Sequence, residues 1–293
     1  MGSKQAPPTT AAIKRLDGWL ETAGVLRPPN VVLTYHAVAD PALYGSISVD
    51  RLRTDLESLT DRYTVVDLKT LWRAATNGES GRAAITFDDG YHNFYTSAVP
   101  ILREVGVPAT VFVCPGLLDD DNEALHSRLF QSPTARAEAT VPHRDGPLFL
   151  TDEQLHELVA DDLVRIGNHT RTHPDLATID DEATLREEIV GARNTLERRF
   201  DITVDRFCYP YGRVTPASRQ LAGAAHDIAV TTQPGTVLAS TDPARLPRVT
   251  AHVPRGRLTR DLTASRWKIH YLTSAVRGRI GTVAGRLGHG GRS

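Results

Sequence analysis

Two cysteines in 293 residues, Cys114 and Cys208, are too few for a disulfide framework, and each closes an apolar run as a reduced core thiol does. The same scarcity argues against a cysteine-built zinc site. No stretch approaches the roughly 18 apolar residues that a membrane-spanning helix needs. A formal net charge of −1 leaves no basic footprint for nucleic acid and no acidic solvating character. Met1 to Thr10 lack the apolar segment of a secretory leader, and Ala6 stands where a myristoylation signal carries Ser or Thr. The expected location is cytoplasmic. With 40% hydrophobic and 24% charged residues, the composition is that of a soluble globular protein with one barrel-sized domain plus extensions.

What the sequence does have is a pair of adjacent carboxylates at the end of a strand. Ala83, Ala84, Ile85, Thr86 and Phe87 form a short apolar, β-prone run that stops at Asp88, Asp89 and Gly90. Taken alone, Asp-Gly after a strand is also a common turn signal. Further along, Ile166 and Gly167 lead into Asn168, His169, Thr170, Arg171, Thr172 and His173. Single histidines are mostly surface or hydrogen-bonded core residues, but two at this spacing converge on one ion from a single turn or tight loop. Two His and one Asp make a three-ligand divalent site with room for water, and the other Asp is left over as a base.

The runs Thr86 to Gly90 and His169 to His173 resemble the first two motifs of the NodB-like polysaccharide deacetylases, carbohydrate esterase family four: Thr-Phe-Asp-Asp-Gly and His-(Ser/Thr)-x-x-His. Cys208-Tyr209-Pro210-Tyr211-Gly212 is similar to the third, usually Arg-Pro-Pro-Tyr-Gly. Tyr35-His36-Ala37-Val38 resembles the opening strand of the permuted exopolysaccharide N-deacetylase branch, whose histidine is the general acid. The resemblance implies a metal held by Asp89, His169 and His173, with Asp88 as general base and His36 as general acid. It also implies that the backbone N–H of Tyr211 faces the developing oxyanion. Zn2+ is the expected ion, with other divalent ions able to substitute. Cys208 departs from the pattern, because many relatives carry there an Arg that pairs with the catalytic Asp. Arg248, within Leu246 to Val249, is the expected replacement cation, and His252 is the fallback acid if His36 is not used.

The rest of the chain alternates strands and helices. Val31 to Tyr35 reads as a buried strand ending at His36. Ser48 and Asp50 offer caps for a helix bearing Leu52, Leu56 and Leu59, and Tyr63 to Leu68 reads as a strand. A short helix around Leu71 and Trp72 stops at Asn77 and Gly78. A helix through Tyr95, Val99, Leu102 and Val105, kinked at Pro100, precedes the strand Thr110 to Val113. Thr151 with Gln154 opens a helix carrying Leu155, Leu158 and Leu163. The stripe Leu185, Ile189, Ala192, Leu196 and Phe200 is a core-facing helix, not a cofactor box. Arg206 to Tyr209 and Ile228 to Thr232 are further strands, and Arg248 sits at another strand end. Site residues at the C-terminal ends of parallel strands would share one rim. The family's fold is a distorted (β/α) barrel of seven or eight strands, here a single catalytic domain with a rim insertion.

The expected organisation is a leader and accessory helix over 1–29, the deacetylase domain over 30–255, and a basic tail over 256–293. Within the domain, 114–150 lose periodicity and read equally as a substrate-binding loop or a mobile surface loop. From Arg255 onward nine Lys or Arg face one acid, Asp261. Leu272, Val276, Ile280, Val283 and Leu287 share a helical face there, which suits peripheral contact with the inner face of an anionic membrane. Packing on the acidic body is a second reading, and Gly278, Gly281 and Gly285 make a frayed end a third. The expected function is metal-dependent removal of an acetyl group from an N-acetylated sugar or glycan, free or lipid-linked, leaving acetate and a free amino sugar. No nucleic acid partner is expected. The same constellation would serve hydrolysis of an ester or cyclic amide, or survive in a non-catalytic glycan-binding relative, although a binder has no need of Asp88.

Overall fold

A computed structural model of the chain describes residues 28–39, 46–118 and 147–251. The leader with its accessory helix, most of the 114–150 segment, the basic tail and His252 lie outside the described residues.

Seven parallel strands run in the order β10-β1-β5-β6-β7-β8-β9: β1 Val31–Tyr35, β5 Arg82–Phe87, β6 Ala109–Val113, β7 Val164–Asn168, β8 Arg206–Cys208, β9 Ile228–Val230 and β10 Val249–Thr250. An eighth, β4 (Thr64–Val65), pairs with the start of β5, and β2 (Ala37–Val38) pairs with β3 (Ser46–Ile47) in a small second sheet. The sheet curls until its edges share one segment. Leu246 N–H donates to Ala229 O at 2.8 Å on the β9 side, and Ala251 N–H donates to Thr34 O at 3.0 Å on the β1 side. This is the distorted barrel the motifs imply.

Strand alternation sorts the side chains into two layers. Val31, Leu33, Tyr35, Ile85, Phe87, Val111 and Val113 face outward and pack under helices α1 (Val49–Thr60) and α4 (Asp152–Val159). Val32, Ala84 and Phe112 face the other way, into a cluster with Cys208, Val230 and Leu246. Both faces are covered, so β1 and β6 are fully buried and largely apolar, each carrying one Thr. Polar residues enter the inner layer near the rim: Thr34 and Thr86 hydroxyls lie 3.3 Å apart, and Thr86 Oγ1 donates to Leu33 O at 2.7 Å.

Local signals set the helix ends. Ser48 caps α1, Asp67 caps α2 (Leu68–Thr76), and Thr151 with Gln154 forms the expected capping box of α4. Three expectations are corrected. The Tyr63 to Leu68 strand shrinks to Thr64–Val65, because the Asp67 carboxylate accepts from the N–H groups of Lys69 and Thr70 and starts a helix there. Leu163 lies beyond α4, where Asp161 takes its N–H and its carbonyl accepts from Ala109 at the start of β6. Arg248 precedes β10, so it is not at a C-terminal strand end. Before Pro100, helix α3 opens as a π-turn, Phe94–Ala98, and continues as Val99–Val105. Helix α5 likewise joins Glu182–Arg186 to Ala192–Phe200 through a π-turn, Glu187–Gly191.

Candidate active site

β5 delivers Asp88 and Asp89 to the rim, both buried. Asp88 N–H donates to Tyr35 O at 3.0 Å, which continues the β1–β5 ladder one step past the strand. Asp89 then turns left-handed at φ 73°. A non-glycine residue there costs of order 1 kcal/mol or more, and such strain gathers at functional sites. The break in extended geometry sends the two carboxylates to different partners.

Asp88 meets Arg248. Nη1 donates to Oδ1 at 2.7 Å and Nη2 to Oδ2 at 2.6 Å, a bidentate pair between two buried side chains. The remaining guanidinium donors are also occupied: Nε by Thr231 O at 2.9 Å, Nη1 by Thr86 Oγ1 at 3.0 Å and Nη2 by Cys208 Sγ at 3.2 Å. Burial works to raise the Asp88 pKa, but the charge and hydrogen bonds of Arg248, with His169 and His36, hold it below the usual value. Burial pushes the Cys208 thiol up, so it remains a neutral group 3.5 Å from Asp88 Oδ2.

Asp89 meets the histidines. Its Oδ1 lies 3.3 Å from His169 Nε2 and 3.2 Å from His173 Nε2. His169 Nδ1 sits 2.8 Å from the carbonyl of Cys208, which can only accept, so the ring proton belongs on Nδ1. Nε2 then faces the carboxylate oxygen either as the second N–H of an imidazolium or, in the neutral ring, as a lone pair that a cation would share with Asp89. Burial disfavours charge on His169, yet Cys208, Asp89 and Asp88 raise its pKa well above the ordinary value. Burial opposes ionisation of Asp89 too, yet hydrogen bonds from the two histidines hold it well below the ordinary range. The pocket is built for positive charge. Two imidazole nitrogens and one carboxylate converging within 4.8 Å fit a divalent ion with open positions.

The histidine loop is held in an unusual shape, with Thr170 at φ 69° and His173 at φ 59°. Asn168, at the end of β7, accepts from Thr170 N at 3.0 Å and donates to Ile189 O at 2.8 Å. Its amide also meets His226 Nε2 at 3.2 Å; burial lowers the His226 pKa to about 4, which makes it a neutral acceptor. Gly167 is required by close approach, since a Cβ there would lie 2.4 Å from Cδ1 of Phe112, the ring packed beside His169.

The other expected residues arrive from separate elements. His36, just past β1, places Nε2 4.0 Å from Asp88 Oδ2 with its side chain 27% exposed, so it faces both the pocket and the solvent side. Tyr211 is left-handed at φ 57°, and its ring packs edge-on to His173 with centroids 4.9 Å apart. Burial first, then Asp89, pushes the Tyr211 phenol up to about 12, which keeps it neutral. The return of the 114–150 segment is pinned beside the acids, where Leu150 N donates to Gly90 O at 2.9 Å and Phe149 stacks on Tyr91. Glu188 is a contributor that motif reading missed. It accepts three hydrogen bonds from the histidine loop, and nothing in its own sequence context sets it apart from the neighbouring acid Glu187.

Comparison with known proteins places the chain in a family. YxkH of Bacillus subtilis, a polysaccharide deacetylase by name, is 26% identical over 152 residues, which is 52% of this chain and 44% of that protein. The chain thus spans less than half the length of that relative. Among solved structures, the Streptococcus pyogenes deacetylase PplD in complex with acetate aligns with a TM-score of 0.60 at 22% identity, covering 77% of this chain and 93% of that one. IcaB from Ammonifex degensii aligns with a TM-score of 0.65 at 20% identity, covering 82% and 97%. At such identities these two report a shared fold. The family profile described as polysaccharide deacetylase matches residues 75–227, a span that holds Asp88, Asp89, His169, His173 and Tyr211 but neither His36 nor Arg248. Because that span is more than half of the chain and carries both the paired acids and the histidine loop, this protein belongs to the polysaccharide deacetylase family.

Proposed function

We propose that the chain is a metal-dependent N-deacetylase that removes acetyl groups from an N-acetylated glycan, free or lipid-linked, releasing acetate and a free amino sugar. The observation that carries this reading is the division of labour between adjacent acids. Asp88 is gripped by Arg248 beside His169 and Cys208, whereas Asp89 converges with His169 and His173. A site that only bound a glycan or a metal would have no use for a second, separately held carboxylate.

Amide hydrolysis is slow because the carbonyl is a poor electrophile and the amine a poor leaving group. A divalent ion held by Asp89, His169 and His173, with Zn2+ favoured by the two nitrogen donors, would supply Lewis acidity toward the acetamide carbonyl and acidify water toward a pKa of about 7. Asp88 takes the proton from the attacking water. It is ionised at neutral pH, and its oxygens keep a lone pair beyond those used by Arg248. The Tyr211 backbone N–H is assigned to the oxyanion, a kind of donor whose loss typically costs about 3 kcal/mol. His36, on the exposed side of Asp88, delivers a proton to the departing nitrogen. Arg248 positions Asp88 and does not touch substrate.

The test is direct. The purified protein, with Zn2+ and with chelator, is incubated with a panel of N-acetylated oligosaccharides while acetate and new amine are both measured. Equal amounts of acetate and amine, abolished by chelator, are expected. A metal-loaded protein that releases neither from any of them would sink the reading in favour of an ester, a cyclic amide or simple glycan binding.

A further inference from the structure

The loop from His169 to His173 is strained and largely polar, so something must hold it. Its first residue, just past β7, is fixed against β6, where His169 N–H donates to Val113 O at 2.9 Å. Its last is fixed by the Thr170 hydroxyl, which accepts from His173 N at 3.1 Å. Among the described residues, the middle of the loop has no strand neighbour. Instead, the N–H groups of Arg171 and Thr172 converge on one oxygen of Glu188, at 2.9 and 3.0 Å, and the Thr172 hydroxyl donates to the other at 2.8 Å. Two successive N–H groups aimed at one anionic oxygen form the concave arrangement that backbone uses to hold anions. On the opposite side, Arg171 O accepts from Gly116 N at 2.9 Å, so the loop is clamped from the turn after β6 and from α5.

Glu188 reaches this position because α5 is not a regular helix there. The π-turn Glu187–Gly191 widens the helix, and Ala192 N–H bonds back to Glu187 O across five residues. The same turn turns Ile189 O toward Asn168 Nδ2. One turn thus supplies both a carboxylate to the loop and a carbonyl to the residue just before it. Glu188 is only 9% exposed although its neighbours on the loop, Arg171 and Thr172, are exposed, so the carboxylate is buried for the loop's sake.

We propose that Glu188 is a positioning residue for the metal site: presented by the π-turn of α5, it holds the backbone between His169 and His173 in the shape that brings both imidazoles onto Asp89. This inference rests on the metal-site reading above. Outer partners of this kind typically change metal affinity by about ten- to a hundredfold when removed.

Zinc affinity of the full chain is measured by competition with a chromophoric chelator, alongside the unfolding temperature of the metal-free protein. Glu188→Ala should weaken Zn2+ binding by about ten- to a hundredfold. Glu188→Gln still offers a carbonyl oxygen to the two N–H groups and should recover most of that loss. Thr172→Val, an exposed substitution, keeps the test available if Glu188→Ala does not fold, and should weaken binding by a smaller factor. A Gln variant as weak as the Ala variant would show that charge, not the hydrogen bonds, matters, and would overturn the positioning role. So would Ala and Val variants that bind Zn2+ like the wild type, whatever their unfolding temperatures. Wild-type protein that binds no divalent ion would sink the metal reading and this inference together; wild-type binding with unaffected variants sinks the inference alone.

Discussion

Arg248 and Asp88 lie 160 residues apart in sequence and form a two-pronged ion pair of 2.7 and 2.6 Å in the barrel interior. The guanidinium enters just ahead of β10, and Cys208, at the end of β8, leaves it room and takes one of its N–H groups at 3.2 Å. A small neutral thiol at position 208 and a cation at 248 together fill the place beside Asp88.

Replacing Arg248 should therefore change both stability and pH dependence. Arg248→Met leaves a buried carboxylate without its partner, a loss on the order of 3 to 5 kcal/mol, read by denaturant unfolding. Arg248→Lys keeps a charge but not the fork, so it is the variant for kinetics. As the proposed base, Asp88 would act in its ionised form, and its pKa is held low chiefly by Arg248 against the effect of burial. Weakening the grip raises that pKa, so the acid limb of the pH–rate profile should move to higher pH. An unmoved limb would remove Asp88 or Arg248 from the assignment. In the wild type, a depressed Asp88 pKa contributes stability that is present above the unfolded carboxyl value of about 3.9 and lost as pH falls through the folded one.

Asp88→Asn should lower turnover by at least about a hundredfold while Zn2+ binding persists, because it removes the base and no ligand. Asp89→Asn and His169→Ala should lose the metal instead, as measured by the same chelator competition. If Asp88→Asn lost the metal and Asp89→Asn kept it, the two acids would have to exchange roles.

His36→Ala should reduce kcat with little change in KM, since the side chain is assigned to leaving-group protonation and not to binding. A fully active variant would take His36 out of the mechanism despite its 4.0 Å approach to Asp88.

Gly212→Ala tests the turn that carries Tyr211. Gly212 has φ 68°, and a Cβ there would lie 2.5 Å from Thr232 N, a backbone atom that cannot swing aside. Overpacking of this kind typically costs about 1–3 kcal/mol, and positive φ adds to it. Unfolding should show a loss of at least that size; a wild-type midpoint would mean the turn is not packed against Thr232, two residues past β9.

The motif runs were legible because their chemistry is local. Asp88 with Asp89 and His169 with His173 each fall within one strand end or one loop, so spacing alone pointed to a metal and a base. The helix stripe from Leu185 to Phe200 was legible as core for the same reason, through its periodicity. That reading overlooked Glu188, because a periodic pattern reports which face is buried in apolar contact and is silent about a π-turn that rotates one acid toward a loop. Tyr63 to Leu68 misled because β-prone residues and a helix cap overlap there, and the Asp67 cap won.

The acid pair, the histidine loop and the alternation of strands and helices were written in short-range pattern, whereas the distorted barrel and the need for a cation beside Asp88 followed from the family resemblance those motifs carry. Spacing left open which Asp faces the histidines, and the resemblance assigned Asp89; the physical reason lies in the tertiary structure, where the left-handed turn at Asp89 sends the two side chains apart. The tertiary structure also decided the placement of His36 and Arg248, which lie outside the matched family span and reach the site only because β1 and β10 lie side by side in the sheet. The physical reason is that hydrophobic periodicity encodes what is buried, whereas a buried charge is located by whichever partner across the barrel satisfies it.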